Sequence, residues 1–222
     1  MELILSAIRQ DWAVLLPILI CSILTLMVMF NRWAFYNDNK RDIVSFIRNL
    51  RAELVKNNLS GAQLLSAQLG GVTGELAEEG IRILEEKNAN TDFAASFDIS
   101  MSLALRKLEQ YLSILGTIGG VAPFLGLFGT VVRILLTFKD MAAAGHAAQA
   151  ADVMYGIGSA LIATAFGLGV AIVAVILFNT FQSIVARYES DFQLMKLLFL
   201  SYTKNEQAPV LSQQTTQSFP QL

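Results

Sequence analysis

The polar residues that could act on an ion lie inside long apolar stretches of the sequence. They are Thr117, Thr130, Ser159, Thr164 and Asn179, with Arg133 toward one end of its stretch. A hydroxyl can line an ion path by holding water or by hydrogen bonding a carboxylate. It can also return its hydrogen bond to the carbonyl four residues earlier, so each threonine taken singly is more often structural. We expect Arg133 to extend toward the headgroups.

The same stretches contain no group that could carry a proton. No Asp, Glu, Lys or His stands near the middle of any of them. A proton relay through the low-dielectric part of a membrane needs at least one titratable group. If protons pass along this chain, a partner must contribute the carboxylate, and Thr130 and Thr164 would line the path beside it.

The composition is that of a membrane protein. Hydrophobic residues make up 54% of the 222, charged residues only 15%, and the mean hydropathy is +0.52, which is too apolar for a soluble domain. The 16 basic and 18 acidic residues form no positive field for a nucleic acid. With one cysteine, Cys21, and one histidine, His146, we expect no disulfide, metal site or cofactor.

Three apolar stretches, residues 12–30, 112–138 and 153–181, reach the roughly 20 residues that cross a bilayer as a helix. The first is expected to be a retained anchor, because it is long for a signal peptide and no cleavage site follows it. Residues 31–111 hold ten of the 16 Lys and Arg residues, which predicts that this segment is cytoplasmic. The remaining predicted segments are an outer tail over 1–11, an outer loop over 139–152, a cytoplasmic helix over 182–202 and a disordered tail over 203–222.

Hydrophobic periodicity predicts helices within the cytoplasmic insert and beyond it. One amphipathic helix is predicted from Arg41 to Leu59, with an apolar stripe at Ile43, Val44, Ile47, Leu50, Leu54 and Val55. A glycine-rich break over 70–74 precedes a helix over 75–87, whose acidic residues are typical of a solvated face rather than a metal site, and residues 88–91 form a predicted turn. From Asp92 the pattern runs without a breaker to about Phe138, which predicts one helix of roughly 70 Å. The third span similarly continues through Leu198.

Glycines and other small residues indicate that the second and third spans make close helix contacts. Two rows at four-residue spacing in the third span are Gly156, Ala160, Thr164 and Ala163, Gly167, Ala171. These contacts can lie within one subunit or between copies in a ring, and the sequence leaves both open. Pro123 is expected to kink the second span, and Asn179 either fixes a neighbouring helix or meets a permeating ion.

Two segments of these spans closely resemble the ExbB/TolQ branch of the MotA/TolQ/ExbB proton-channel family. They are Ala122–Val131 (APFLGLFGTV) and Gly156–Leu168 (GIGSALIATAFGL), the latter followed by Phe178-Asn179. The resemblance covers both long helices and the order of spans, whereas the first span and the insert carry no matching motif. It implies an all-α membrane protein with three transmembrane helices, the second and third extended into the cytoplasm. Such chains assemble as a homopentameric ring in the bacterial inner membrane, with the outer side facing the periplasm.

The resemblance also implies a function. The second and third spans would line a pore that holds the single-span helices of an ExbD/TolR-like dimer, whose membrane aspartate titrates. Thr130 and Thr164 match the pore threonines of the family, Ser159 would line the pore with them, and Asn179 would stand at a pore end. The residues that would kink and pack the helices are Pro123, Gly126, Gly129, Gly156 and Gly167. Proton passage would then drive work on a TonB- or TolA-like energy transducer.

Two positions depart from the family pattern. Ser159 stands where the branch usually has a glutamate, and Arg133 stands where the Thr-Val-Trp-Gly pattern has its glycine. The loss of the glutamate, to which ion selectivity could be assigned, motivates the alternative hypothesis of a non-conducting scaffold that gathers single-span partners. We favour conduction because both threonines, the proline and the glycine pattern are kept. An enzyme is disfavoured because no paired carboxylates, nucleophile motif or phosphate-binding loop is present.

Overall fold

The computed structural model describes residues 12–39, 42–86, 92–144 and 150–216. Across these ranges the regular structure is entirely α-helical, which confirms the predicted fold class. The helices are α1 Trp12–Asp38, α2 Ile43–Val55, α3 Leu59–Leu69, α4 Gly71–Glu85, α5 Phe93–Glu109, α6 Leu112–Ala144 and α7 Ala150–Thr216. Two compact units are formed: a membrane unit of residues 1–34 and 111–182, and an insert unit of residues 35–110 and 183–222.

Among the described residues, three helices are long and apolar enough to cross a membrane, as the sequence predicts. The apolar parts of α1, α6 and α7 supply them. Both tryptophans of the chain lie on α1, and Trp12 and Trp33 are 63% and 64% exposed. They are about six helical turns apart, roughly 31 Å, which matches the thickness of the hydrocarbon between two interfacial aromatic belts.

Small residues bring α6 and α7 together in the membrane unit. A Cβ added at Gly167 would lie 2.7 Å from the carbonyl oxygen of Ala122 and 3.0 Å from Cα of Gly126. Ala163 and Ala171 from the predicted rows are 4% exposed each. The rows are therefore used, in part, for packing within one subunit, where the missing side chains allow the backbones to approach.

The core of the membrane unit includes side chains from α1 as well. Ile118 and Ala122 of α6 cluster with Ala171 and Ala174 of α7, and the half-buried Cys21 and Leu24 of α1 pack against that cluster. Pro123 lies inside α6, which continues through it. The single cysteine is thus a packing residue of the three-helix contact.

Large aromatic side chains fill the core of the insert unit. Phe97 of α5 and Phe199 of α7 are fully buried with ring centroids 5.7 Å apart, and Phe93 stacks on Phe97 at 5.6 Å. Gly80 of α4 leaves the space that these rings occupy, since a Cβ there would lie 2.6 Å from Phe199 and 2.9 Å from Phe97. At the edge of this core, Nζ of Lys196 is 2.6 Å from the carboxylate of Asp98.

The helices of the insert differ in detail from the prediction. The amphipathic helix is shorter, and a separate helix α3 precedes the break, which is confined to Gly70. Val44 and Val55 are 65% and 78% exposed, whereas Phe46 is buried. Because each residue advances about 100° around the axis, Val44 and Val55 lie a quarter-turn outside the stripe on which Phe46 stands.

The predicted single helix from Asp92 to Phe138 is interrupted at Gln110 and Tyr111. Tyr111 has a φ of +65°, a conformation that a bulky residue rarely adopts. The guanidinium of Arg32 lies 5.3 Å from the centre of the Tyr111 ring, within the range of a cation–π contact. The break therefore depends on a tertiary contact and carries no Gly or Pro signal in the sequence.

The last helix ends later than predicted. It continues to Thr216, although a disordered tail is expected from Thr203. Lys204, Glu206, Gln207 and Ala208 are polar or small but good helix formers, so polarity alone does not end the helix, which continues through Pro209. The predicted outer tail 1–11, the turn 88–91 and residues 145–149 of the predicted outer loop lie outside the described residues.

Candidate functional site in the membrane unit

Thr164 joins α7 to α6 through its hydroxyl group. Its Oγ1 donates a hydrogen bond to the carbonyl oxygen of Gly126 at 3.1 Å. The approach depends on the glycine, because a Cβ at Gly126 would lie 3.0 Å from Cα of Thr164. The absence of a side chain at Gly126 thus allows a hydroxyl of one span to reach the backbone of the other.

Thr130 lies one turn beyond Gly126 on α6 and is half-buried. Its Oγ1 donates to the carbonyl oxygen of Leu127 at 2.6 Å, within its own helix. The two threonines predicted to line a pore are therefore brought to the same part of the α6–α7 pair. Their hydroxyls differ, because that of Thr164 links two helices whereas that of Thr130 does not.

Ser159 and Arg133 contact each other, although the sequence analysis treats them separately. Nε of Arg133 donates to Oγ of Ser159 at 2.9 Å, and the serine hydroxyl donates to the carbonyl oxygen of Gly156 at 3.1 Å. Arg133 is 8% exposed and Ser159 is 3% exposed. The expectation that Arg133 extends to the headgroups is wrong, because the facing helix offers its guanidinium a hydroxyl acceptor.

Thr137 extends this arrangement by one turn. Its Oγ1 donates to the carbonyl oxygen of Arg133 at 2.9 Å, and the Thr137 side chain occupies the space that a Cβ at Gly156 would need. Arg133, Thr137, Gly156 and Ser159 form what we call the Arg133 network. The sequence contains one signal for it, since both departures from the family pattern, Arg133 and Ser159, belong to this network.

The other predicted site residues are distributed along the helix pair. Gly129 is buried on α6, and Gly167 packs against the backbone at Ala122 and Gly126. Asn179 is exposed on α7 and lies four turns beyond Thr164, roughly 22 Å along the axis. It therefore does not belong to the group around the threonines.

The chemistry that this arrangement permits is limited. Within 112–138 and 153–181 the only charged residue is Arg133, and an arginine keeps its proton in proteins. No cluster of three or more His, Cys, Asp or Glu that could hold a metal ion is found among the described residues. The hydroxyls of Thr130 and Thr164 can exchange hydrogen bonds with water or with a carboxylate, but they cannot store a proton at neutral pH.

Comparison with known proteins places this helix pair within a family. A sequence model of the MotA/TolQ/ExbB proton channel family matches residues 69–194, which include all of α6 and both threonines. The biopolymer transport protein ExbB of Pseudomonas putida is 30% identical over 203 residues, which are 85% of this chain and 59% of that protein.

Two further relatives match over shorter regions. The Tol-Pal system protein TolQ of Pseudomonas aeruginosa is 41% identical over 99 residues, 43% of this chain and 42% of TolQ. The biopolymer transport protein ExbB of Xanthomonas campestris pv. campestris is 42% identical over 89 residues, 38% of this chain and 34% of that protein. The chain thus spans less than two thirds of the length of these relatives.

Proposed function

Because the chain belongs to the MotA/TolQ/ExbB proton channel family, we propose that it is the channel subunit of a membrane complex that converts proton motive force into mechanical work. Its partner in that complex is a single-span, ExbD/TolR-like dimer. The work acts on a TonB- or TolA-like protein that reaches across the envelope, for transport across the outer membrane or for envelope maintenance. The chain itself has no enzymatic role in this proposal.

The observation that carries the proposal is the contact of Thr164 with Gly126. The Thr164 hydroxyl donates to the carbonyl oxygen of Gly126 on the facing helix at 3.1 Å. Gly126 lies one helical turn before Thr130 on α6. A carboxylate that enters beside this pair can exchange hydrogen bonds with both hydroxyls. Each proton that crosses 100 mV releases about 2.3 kcal/mol, so a useful stroke requires several protons or loose coupling.

A partner is required because the spans lack side chains that titrate near neutral pH. The apolar parts of α6 and α7 offer no Asp, Glu, Lys or His, and a proton relay in a low-dielectric region needs a titratable group. A membrane carboxylate on a second protein supplies it.

A ring of copies is needed to enclose a path, because three helices alone do not surround one. The chain leaves small residues unpacked for such contacts: nothing lies within 4 Å of a Cβ added at Gly120, Gly158 or Gly169. Glycines with open space on a membrane helix allow a second copy to approach closely. We therefore assign the packed glycines to contacts within the subunit and the open ones to contacts in a homopentamer.

The complex belongs to the bacterial inner membrane in this proposal. The ten Lys and Arg residues of segment 31–111 favour a cytoplasmic insert, a periplasmic N-terminus and a cytoplasmic C-terminus. A cysteine introduced at Lys139 should then react with a membrane-impermeant maleimide from the periplasmic side. One introduced at Glu109 should be protected in intact inner-membrane vesicles of native orientation.

The test begins with co-purification of the tagged protein from native membranes in mild detergent, with the intact mass and every associated chain identified. A five-copy ring with a single-span protein that carries a membrane aspartate is the expected result. Proton uptake by the reconstituted complex is then measured for Thr164→Val and for Thr117→Val. Thr117 is the matched control because its hydroxyl donates to Ser113 of its own helix at 2.9 Å.

Loss of proton uptake in assembled Thr164→Val, with uptake kept in Thr117→Val, would support conduction. A silent Thr164→Val together with a damaging Gly167→Leu would instead favour the non-conducting scaffold. A ring that lacks any companion with a membrane carboxylate would refute the proton-driven function, because the path would then have no titratable group.

A further inference from the structure

A groove with a volume of about 370 Å³ lies between α1 and α7 in the membrane unit. The residues that line it include Trp12, Leu15, Ile18 and Leu19 of α1 and Phe166 and Val170 of α7. Ile18 is buried, whereas Leu19 and Phe166 are 59% and 49% exposed. The groove is therefore open on one side, and a molecule in the surrounding membrane can enter it.

The groove extends along one half of the membrane-spanning part of α1. Trp12 and Ser22 both line it, and they are separated by about 15 Å of helical rise. Half of the hydrocarbon thickness of a bilayer is also about 15 Å, and Trp12 lies at the level of an interfacial aromatic belt. The groove thus runs from the headgroups at the Trp12 end of α1 to the bilayer centre, which is the depth of one leaflet.

Water is a poor occupant for this groove. An enclosed water needs roughly two to four polar partners, and apolar cavities stay dry. Among the described residues of the lining, the polar side-chain groups are the Ser22 hydroxyl and the Trp12 indole N–H, which stand at opposite ends of it. An empty groove would lose dispersion contacts along its whole length. We therefore expect an apolar occupant.

A lipid chain fits the groove better than a second copy of the protein does. Membrane helices approach each other through small residues. Apart from Ser22, the side chains that the structure describes in the lining are bulky, and the open glycines Gly120, Gly158 and Gly169 are not among them. An apolar cavity of about 150 Å³ holds the six carbons of benzene, so about 370 Å³ holds a chain of roughly 15 carbons.

We propose that this groove is a binding site for one acyl chain of a membrane phospholipid, which packs between α1 and α7 with its headgroup at the level of Trp12. Under the orientation proposed above, the lipid belongs to the periplasmic leaflet. The described part of the lining contains no charged side chain. Recognition therefore depends on the chain and not on the headgroup, so zwitterionic and anionic phospholipids should bind alike.

The experiment counts the phospholipids that remain bound when the complex is purified from native membranes and washed with lipid-free detergent, by native mass spectrometry. Leu19→Trp fills the groove. Its control is Ile23→Trp, because Ile23 is 54% exposed on the same helix and does not line the groove. Phe166→Ala removes one wall. Its control is Phe124→Ala, because Phe124 is 71% exposed on α6, away from the lining.

We expect one tightly held phospholipid per copy of the chain in the native complex and in both controls. Its occupancy should fall at least fivefold in Leu19→Trp and Phe166→Ala. The headgroups of the retained lipid should occur in the same ratio as in the whole membrane extract. A native complex that retains no phospholipid, a free fatty acid in its place, enrichment of one headgroup, or equal losses in variants and controls would overturn the proposal.

Assembly of each variant is checked by intact mass before the lipids are counted. If Leu19→Trp and Phe166→Ala lose neighbouring copies of the chain while both controls stay assembled, the groove is a contact between copies, and the lipid site is refuted. Lipid retention is measured without any ion flux, so its outcome does not depend on conduction. Proton uptake by the same preparations tests the function proposed above separately.

Discussion

The membrane unit and the insert unit each have their own packing. The first packs through small residues, and the second packs through large aromatic side chains. In the membrane unit, Gly126 and Gly167 let the backbones of α6 and α7 meet, whereas in the insert unit the fully buried rings of Phe97 and Phe199 fill the core. Apolar surface gains little by leaving lipid, so membrane helices depend on close packing and interhelical hydrogen bonds. Outside lipid, the burial of large side chains supplies most of the stability. Adding atoms should therefore damage the first unit, and removing atoms should damage the second.

The largest effect is expected for Phe97→Ala in the insert unit. Removing a fully buried ring leaves a cavity beside Phe93 and Phe199 and should cost about 3–5 kcal/mol. Hydrogen exchange of α4 and α5, followed by mass spectrometry in detergent, measures the loss of protection. Ile99, two residues away on the same helix, is 65% exposed. The control Ile99→Ala should therefore change the protection by less than about 0.5 kcal/mol. Equal effects of the two changes would contradict a core centred on Phe97.

A single added methyl group should harm the membrane unit. Gly167→Ala places a Cβ 2.7 Å from a backbone oxygen, which neither helix can relieve by a side-chain rotation, and should cost about 1–3 kcal/mol. Gly116→Ala is the control, because the atoms nearest to its Cβ belong to the Phe178 side chain, at 3.3 Å and beyond, which can shift where a backbone oxygen cannot. Thermal unfolding in detergent, followed by far-ultraviolet circular dichroism, measures both. If the two alanine variants unfold at the same temperature, the expected sensitivity of the membrane unit to added atoms is wrong.

The ion pair at the edge of the insert core should contribute less. Nζ of Lys196 donates to both carboxylate oxygens of Asp98 at 2.7 and 2.6 Å, but Asp98 is nearly half exposed, so we expect about 0.5–1 kcal/mol. A double-mutant cycle with Lys196→Met and Asp98→Asn measures the coupling through exchange in α5. The coupling should fall in 1 M salt, whereas exchange in the buried Arg133 network should not respond. A coupling that is insensitive to salt would contradict this account.

The smallest effect is expected in the pH dependence of stability, through the N-terminal cap of α2. Hydrogen bonds from the side chain and then the backbone of Ser45 hold the pKa of Asp42 below its ordinary value of about 3.8. The stabilisation from this cap of α2 is therefore complete above that value and is lost as the pH falls through the lower pKa of the folded state. Asp42→Asn keeps a capping side chain and should lose this part of the pH dependence. Melting curves between pH 5 and pH 3 test it, and identical pH profiles for the two proteins would contradict it.

The three spans and the helical class are predictable from the sequence because a long apolar run has few alternatives to a membrane helix. The interruption at Tyr111 is not predictable, because it depends on a positive φ at a bulky residue and on a ring contact with Arg32, which is remote in the sequence. Periodicity records which residues can share a helical face. It carries no information on a backbone conformation that a tertiary contact stabilises.

The candidate site, like the fold, is predictable from the sequence only in part. The family motifs identify Thr130 and Thr164, but they do not indicate that only Thr164 bonds across the helices. The pairing of Arg133 with Ser159 is missed because each residue is compared with its own motif and not with the facing helix. Antiparallel packing of α6 and α7, in which Gly126 contacts Thr164 and Gly167 contacts Ala122, brings the two departures together.

The positions of the two tryptophans determine which structural changes tryptophan fluorescence can detect in this protein. Trp12 and Trp33 both lie exposed on α1, and the insert unit contains neither. Tryptophan emission should therefore respond to the lipid or detergent at the two ends of α1, and quenchers carried at different depths of a bilayer should reach the two indoles near opposite surfaces. Melting of the phenylalanine core should leave that emission almost unchanged, so a fluorescence trace that appears flat is no evidence that the insert unit is intact.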